Sequence, residues 1–530
     1  MSDPSVKFVE GQTVGIDLGT SYSALSRLGE DGNPEVINNS HDRPITASIV
    51  VLGENGKILV GPPADVLALQ DPACVVIAIK REMGNPRFAL QYQERRMTPE
   101  LISSLILKKL KQDAEKKIGP IGNAVITVPY YFNEPKRAAT QYAGKISGLN
   151  VVDIINEPTA ATLAYAWTKG ELGRLDVPGK AKTILVYDLG GGTFDVTLVK
   201  YTPTEFTVLA TDGDTMLGGL DWTERILDFA CDRFVAKYSI DPREDAQAKF
   251  TLVRECESAK RELSHWAKTK IEVTFRGKTL PVELSRQQFE EMTLDLLQRT
   301  RDTTEFVLDG NHVARDELSE VLLVGGSTSI PAVVEMLEQL TGKRPSKVLN
   351  PQLAVAQGAA IHAAILEAKV TDGNGRLSAA LLKRLQAITT TDVNSHSLGV
   401  EITDSRDPNL KRHHVMIPRN SQLPCGTKKQ FVTTTDTPEN IVIRLLQGEV
   451  SDVAACTHIG DVRISELPKA LPAGSPVEVI YSYDHRGHIT VAAKELTGGG
   501  SAAVEIAWDG ALDKHAIETL RQLARQYHVD

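Results

Sequence analysis

Up to about Leu366, short β-branched runs alternate with longer stretches of helical period; residues 124–129 (AVITVP), for example, are followed by a helical pattern over 134–147. Strands that alternate with helices predict an α/β architecture. The rhythm breaks over 370–394. There Asp372-Gly373-Asn374-Gly375 reads as a turn, 377–385 as a short helix and 388–392 (ITTTD) as an extended polar connector, so the segment is expected to be a linker. From Ser395 to Trp508 short strands recur with turns between them (LGVEIT, KQFVTTT, NIVIRLL, VEVIYSY, HITVAAKE), which predicts an all-β sandwich. Over 509–530 the apolar residues Leu512, Ile517, Leu520 and Leu523 suffice for one short amphipathic helix. The expected division is therefore 1–369, 370–394, 395–508 and 509–530.

One internal echo stands out. Residues 14–24 read VGIDLGTSYSA and 184–196 read ILVYDLGGGTFDV. In both, an apolar strand ends at Asp-Leu-Gly, turns through small hydroxylated residues and resumes, as if the first part were built from two related halves. A third apolar strand ends in glycines at 322–328 (LLVGGST), just before a helix expected to start near Pro331.

Composition narrows the classes. The chain has 530 residues, 42% hydrophobic and 24% charged, which excludes a disordered or collagenous protein and allows about three or four folding units. Its 59 basic and 68 acidic side chains give a formal net charge of −9, so nothing draws it generally to nucleic acid or to an anionic membrane. Cysteines 74, 231, 256, 425 and 456 share no close spacing and suggest neither a zinc cluster nor a disulfide framework. The opening MSDPSVKFVEGQT lacks a charged leader followed by an apolar core, and apolar stretches such as 73–79 are too short to span a bilayer, so the cytoplasm is the expected location.

Glycines at a strand-to-strand turn let backbone N–H groups approach an anion, and neighbouring hydroxyls add donors. Gly19-Thr20-Ser21 and Gly190-Gly191-Gly192-Thr193 are therefore candidate phosphate cradles. Asp17 and Asp188 fall at the mouths of the two turns, where two carboxylates beside a polyphosphate would hold a hydrated Mg²⁺. Any single Asp-Leu-Gly is more simply an ordinary hairpin turn; two copies and a third glycine turn favour a nucleoside triphosphate site. The sequence contains neither G-x-x-x-x-G-K-[ST] nor a strand-bound G-x-G-x-x-G. Gly498–Gly500 reads as a flexible connection. On a helix expected over 251–268, Leu252, Cys256, Ala259, Leu263 and Trp266 form an apolar stripe, while Glu257, Lys260, Arg261 and Ser264 cluster on another face available for base recognition.

Together these residues resemble the 70-kDa heat-shock protein (DnaK-type) chaperones of the actin-like ATPase superfamily, over nearly the whole length. The matching segments are GIDLGTSYS (15–23), AIKR (78–81), ITVPYYFN (126–133), INEPTAA (155–161), VYDLGGGTFD (186–195), GDTMLGGLD (213–221), ESAKRELS (257–264), VGGST (324–328), QGAA (357–360) and LLQGE (445–449). The resemblance implies a two-lobed actin-like ATPase domain, then a linker and a β-sandwich that holds extended hydrophobic peptides, with a J-domain co-chaperone and a nucleotide-exchange factor as partners. It implies that Gly19, Thr20, Ser21 and Tyr22 bind ATP or ADP together with Gly190, Gly191, Gly192, Thr193, Gly218, Gly219, Gly325 and Gly326. Asp17 and Asp188 would hold Mg²⁺, and Asp195 would bind K⁺ or accept a proton. Lys80 would orient the attacking water and Glu157 polarise it, with Thr193 beside them. Glu257, Lys260, Arg261, Ser264 and the position of Ser329 would embrace adenosine. Pro129 and Arg137 would report nucleotide state to the linker. Val400, Thr403, Phe431, Thr434, Ile441, Ile443 and Val477 would line the peptide channel, although as plain sequence they are indistinguishable from sandwich core.

The departures from the family pattern carry expectations of their own. Only sixteen residues separate Lys80 from Met97, so part of a peripheral first-lobe subdomain is expected to be missing. Ser329 replaces an arginine that stacks on adenine and Leu220 replaces a glutamate; one cation–π contact is worth roughly 0.5–2 kcal/mol, or about an order of magnitude in affinity. The connector offers one isoleucine and three threonines where the family has leucines, each worth about 1.5–3 kcal/mol when buried, so weaker or rewired interdomain communication is expected. With a short helix in place of a long lid, and Thr403 and Thr434 at usually apolar positions, peptide exchange should be fast. Two other readings remain open at this point: a nucleotide-dependent scaffold for one dedicated partner, and small-molecule phosphotransfer.

Overall fold

The computed structural model describes residues 7–53, 56–61, 74–88, 90–174, 179–371, 377–404, 406–407, 409–436, 439–465, 467–468, 470–484, 489–499, 501–505 and 512–530. The expected turn over 372–375, Trp508 and residues 509–511 lie outside them.

Two sheets repeat one plan. In the first lobe the order is Asn150–Asn156, Ile121–Val128, Gln12–Asp17, Tyr22–Leu28, Pro34–Val36. Gln12–Asp17 is antiparallel to its hairpin partner Tyr22–Leu28 and parallel to Ile121–Val128. In the second lobe the order is Leu318–Val324, Lys182–Leu189, Phe194–Tyr201, Glu205–Asp214, and again the second of these pairs antiparallel with its hairpin partner and parallel with the strand on its other side. The echo seen in the sequence is thus a structural repeat, with each Asp-Leu-Gly at the turn of a hairpin.

Helices Glu157–Thr168 and Ala354–Thr371 pack against each other between these sheets, and small residues allow the approach. A Cβ on Gly358 would lie 1.7 Å from the Ala160 carbonyl oxygen, and one on Gly15 would lie 2.0 Å from the Ala360 nitrogen. The helix expected over 251–268 runs Ala246–His265, and Trp266, placed in its apolar stripe by period alone, follows the last turn and is 68% exposed.

The sandwich joins two four-stranded antiparallel sheets, one from Leu398–Thr403, Lys411–Ile417, Ile441–Gln447 and Thr457–Ile464, the other from Cys425–Val432, Pro476–Tyr483, Ile489–Glu495 and Ser501–Glu505. Of the expected connection 498–500, Gly500 lies outside the described residues, and Gly498 lies in the turn between the last two sandwich strands, where its N–H donates to the Glu495 carboxylate at 2.6 Å.

The connector is docked. Leu381 and Leu385 of helix Ala379–Gln386 and then Ile388 are buried in the core between the lobes, and the Arg384 guanidinium stacks 3.7 Å above the Trp167 ring. Thr389–Thr391 then adds a strand, parallel to Glu205–Asp214, to the open edge of the second-lobe sheet, with the Thr389 N–H donating to Thr204 at 2.8 Å. Backbone bonds of this kind do not require leucine side chains, and threonine favours extended backbone, so a threonine-rich connector can still bind. The C-terminal helix, Lys514–Gln526, packs on the first lobe and not over the sandwich.

Ile388 is the connector's anchor. Ile388→Ala should cost about 2–5 kcal/mol by leaving a cavity in a core that joins both lobes, read as a lower urea midpoint.

Candidate functional site

The two hairpin turns face each other across a cleft of about 400 Å³. The first turn is held by the Gly19 N–H donating to Ser23 Oγ at 3.2 Å and by Ser48 Oγ donating to the Gly19 carbonyl at 2.8 Å. The second closes through the Gly190 N–H to the Thr193 carbonyl at 3.0 Å. The glycines are needed because the turns nearly touch: a Cβ on Gly191 would lie 2.1 Å from Ser21 Oγ, and one on Gly192 would lie 2.6 Å from Thr20 Cγ2. Gly325, with φ +83°, turns the third strand into the same cleft. Of the residues expected to bind nucleotide, Gly19, Thr20, Ser21, Tyr22, Gly190, Gly191, Thr193, Gly219, Gly325, Gly326 and Ser329 line this space, as do Asp17, Lys80, Glu157 and Asp188. Gly192 and Gly218 pack behind the lining.

The floor of the cleft is strongly acidic. Lys80 and Glu157 form a buried ion pair, beside Asp17 and Asp188. Burial works against the Lys80 charge, but Glu157, Asp17 and Asp188 outweigh it and hold its pKa above the ordinary lysine value. Burial and then the Glu157 charge push the Asp17 carboxyl up to about 7, against the opposing effects of Lys80 and a Thr127 hydroxyl that donates to it at 3.2 Å. Asp188 is raised well above its usual range by burial, Glu157, Asp195 and Asp17, and its Oδ2 is buried without a hydrogen-bond partner. Asp195 does not line the cleft. It lies behind, pushed up to about 7 by burial and Glu157, and accepts the backbone N–H groups of Tyr130 at 3.0 Å and Tyr131 at 3.1 Å.

The adenosine candidates are tied to one another across one wall. Glu257 accepts from Thr223 at 2.8 Å and pairs with Lys260 at 2.6 Å and Arg261 at 3.0 Å. Lys260 is buried and also donates to the Gly219 carbonyl at 2.7 Å, whereas Arg261 reaches across the cleft to the Tyr22 hydroxyl at 2.9 Å. Ser264 lines the same wall.

Pro129 ends its strand immediately before Tyr130, the residue bonded to Asp195. The Tyr130 hydroxyl bonds Asp392 of the connector, and Arg137 donates to Asn156 Oδ1 at 2.6 Å while Asn156 donates to Asp392 at 2.8 Å. Asn156 directly precedes Glu157. Two routes therefore run from the acidic floor to one carboxylate of the connector, Asp392, which lines a cavity of about 680 Å³ where lobe, connector and sandwich meet.

In the sandwich, Val400, Ile443 and Val477 are buried in the core and Phe431 and Ile441 pack against it. Thr403 accepts from Lys411 at 2.8 Å, and Thr434 is exposed.

Several further residues at the cleft were not singled out as site candidates, although Arg81, Thr127 and Ser327 fall within the family-like segments 78–81, 126–133 and 324–328. Arg81 donates to the Gly192 carbonyl at 2.9 Å and to Asp221 at 2.6 Å, clamping the second turn from the opposite lobe. Thr127 orients Asp17, Ser327 donates to the Gly190 carbonyl at 2.9 Å, and Asn350, Pro351 and Gln352 close one rim. Only Asn350-Pro351 had a local mark, as a turn dipeptide.

Comparison with known families matches the one described as Hsp70 protein over residues 13–530. The chain is 38% identical over 523 residues to the chaperone protein DnaK of Thermotoga neapolitana, covering 97% of this chain and 83% of that protein. It is 36% identical over 522 residues to the chaperone protein DnaK of Halobacterium salinarum, covering 97% and 78%.

Carboxyls raised to about 7 at Asp17 and Asp195 make ligand-free stability pH-dependent. The unfolded chain gives up these protons near the ordinary aspartate pKa, about 4, whereas the folded protein keeps them until about 7, so stability falls as pH rises through that window. Without nucleotide or metal, Tm should drop between pH 5 and 7, and more shallowly in Asp195→Asn; an unchanged slope would contradict the assignment.

Proposed function

Because the chain belongs to the Hsp70 family of ATP-dependent chaperones, we propose that ATP lies with its polyphosphate between the turns at Gly19 and Gly190 and that its hydrolysis there sets the posture of the sandwich. Family membership makes the chain an ATPase that binds unfolded polypeptide. The observation that carries the site assignment is the convergence of both mirrored turns, the third glycine turn and the Lys80–Glu157 pair on one cleft.

The β- and γ-phosphates take donors from Thr20, Ser21 and residues 190–193, with Gly325 and Gly326 allowing close approach. Four carboxylates around one ammonium, one with an unpartnered buried oxygen, call for added positive charge. Among the described residues no group of three or more His, Cys, Asp or Glu could hold a metal ion alone, which fits a hydrated Mg²⁺ brought by the phosphates and held by Asp17 and Asp188. Bound there, Mg²⁺ would neutralise the phosphate oxygens. A K⁺ ion would draw on the lone pairs of Asp195 left over from its two N–H bonds.

Water attacks the γ-phosphorus, the bond to the β–γ bridging oxygen breaks, and ADP and phosphate leave. Lys80 orients that water and offsets charge on the γ-phosphoryl group, Glu157 polarises it, Thr193 contacts the same phosphoryl, and Asp195, if it does not hold K⁺, takes up the proton. Glu257, Lys260, Arg261 and Ser264 form the adenosine wall, with Ser329 in place of a stacking arginine. Pro129 and Arg137 relay the state of the site to Asp392. Extended peptide occupies the sandwich end marked by Thr403, Phe431, Thr434 and Ile441, with Val400, Ile443 and Val477 beneath. A J-domain co-chaperone and a nucleotide-exchange factor are the expected partners. The cytoplasm is the location proposed for the chain.

Lys80→Ala and Glu157→Ala should each lower single-turnover ATP hydrolysis by about 10²–10⁴-fold while MgATP still binds by calorimetry. Unchanged turnover in both variants would remove the catalytic assignment. A panel of unrelated hydrophobic peptides should bind the full chain in a fluorescence titration, and a blank result across the panel would count against the groove.

A further inference from the structure

Residues 512–530 form a capped helix and a short strand built into the first lobe. Asp513 caps helix Lys514–Gln526 by accepting the Ala516 N–H at 2.7 Å. Leu512, Ile517, Leu520 and Leu523 pack on the first-lobe core, and Ala524, Tyr527 and Val529 are buried within it. Lys108 satisfies the end of the helix by donating to the carbonyls of Ala524 at 2.8 Å and Tyr527 at 2.9 Å, where a cation also meets the negative end of the helix dipole. Finally His528–Val529 runs parallel to Lys57–Val60 as an added strand; the Asp530 N–H donates to Ile58 at 3.0 Å and the Val60 N–H to Asp530 at 2.9 Å. The Tyr527 ring also packs near Tyr92, and its hydroxyl lies 3.7 Å from Met97 Sδ, so the segment covers the hairpin of the shortened subdomain.

The last described strand of the sandwich is Ser501–Glu505. Between Glu505 and Leu512 lie seven Cα-to-Cα steps, which span at most about 25 Å fully extended. The sandwich is therefore held at both ends: by the connector strand on the second lobe and by this segment on the first.

We propose that residues 512–530 form a strap that ties the far end of the sandwich to the first lobe, so that the sandwich shifts within a reach of about 25 Å during the nucleotide cycle and does not swing free on its linker. The cycle rests on the function proposed above; the attachment does not. A strap anchored in the core sets an upper limit on undocking, and peptide exchange is then governed by small movements of the sandwich against the lobes. Its release would uncover an apolar face of the first lobe.

The test uses the full chain, wild type and Leu520→Asp/Leu523→Asp, in ADP and in ATP, by small-angle scattering and amide hydrogen exchange. A compact chain of 530 residues has a radius of gyration of about 24 Å. The wild type should stay within about 2 Å of that value in both nucleotides, with the Val60 and Asp530 amides protected; the double variant should expand in ADP and lose about tenfold or more of that protection. A wild type that expands in ADP as far as the variant, or whose Val60 and Asp530 amides exchange as fast, overturns the proposal. Retained ATP binding shows that the variant is folded; should it fail to fold, Tyr527→Ala carries the same comparison. Protected amides in a wild type that binds no ATP would sink the nucleotide reading while supporting the strap.

Discussion

Four carboxylates, three of them buried, gathered around one ammonium are the constraint on which the rest of the molecule depends. Asp17, Asp188, Asp195 and Glu157 come from four different elements, and Lys80 comes from a fifth. Burial raises Asp17, Asp188 and Asp195 toward protonation, while the charges of Glu157, Asp17 and Asp188 keep Lys80 protonated. Such a cluster is costly in an empty protein and inexpensive once a cation and a polyphosphate share the cleft. On the proposed site, bound nucleotide would thereby be coupled to the closure of two lobes that each supply part of the cluster.

On the proposed function, the connector would read that closure through its bonds to the immediate neighbours of the cluster. Tyr130 bonds Asp195 with its backbone and Asp392 with its hydroxyl; Asn156 adjoins Glu157 and donates to the same Asp392. The sandwich adds its own contacts to both lobes, with Arg419 pairing to Asp212 at 3.3 Å and the Glu134 N–H donating to Gln447 at 3.1 Å. A change in lobe angle alters both sets of bonds together. The threonines of 389–391 cost little in this respect, since what docks them is the open edge of a sheet, with the buried side chains of Leu385, Ile388 and Val393 on either side.

The parts of this arrangement that were legible in the sequence are those whose chemistry is local. Asp-Leu-Gly followed by hydroxylated residues specifies a turn, an anion cradle and a carboxylate within a few positions, and its repetition gave the two-lobed plan. Lys80 is different: nothing around it distinguishes it from a surface lysine, and its partner Glu157 lies 77 residues away, so only the family pattern pointed to it. Arg81, Thr127 and Ser327 act across lobes or between strands; they fall within family-like segments, but nothing local in the sequence marks the contacts they make. Trp266 fits a helical stripe by period, yet the helix stops one residue earlier. The strap shows the same limit, because a stripe of Leu512, Ile517, Leu520 and Leu523 states that something is buried without stating against what. In the sandwich, core and groove positions share one alternating pattern, and the sequence could not separate them.

The claim that nucleotide chemistry sets the connector is tested most directly at one amide. The Val393 N–H donates to the Tyr130 hydroxyl at 3.1 Å, at the point where both routes from the cleft converge. Site-resolved hydrogen exchange of the full chain should show this amide protected differently with MgATP and with MgADP, by about tenfold or more. Equal protection in the two states, with both nucleotides bound, would contradict the account.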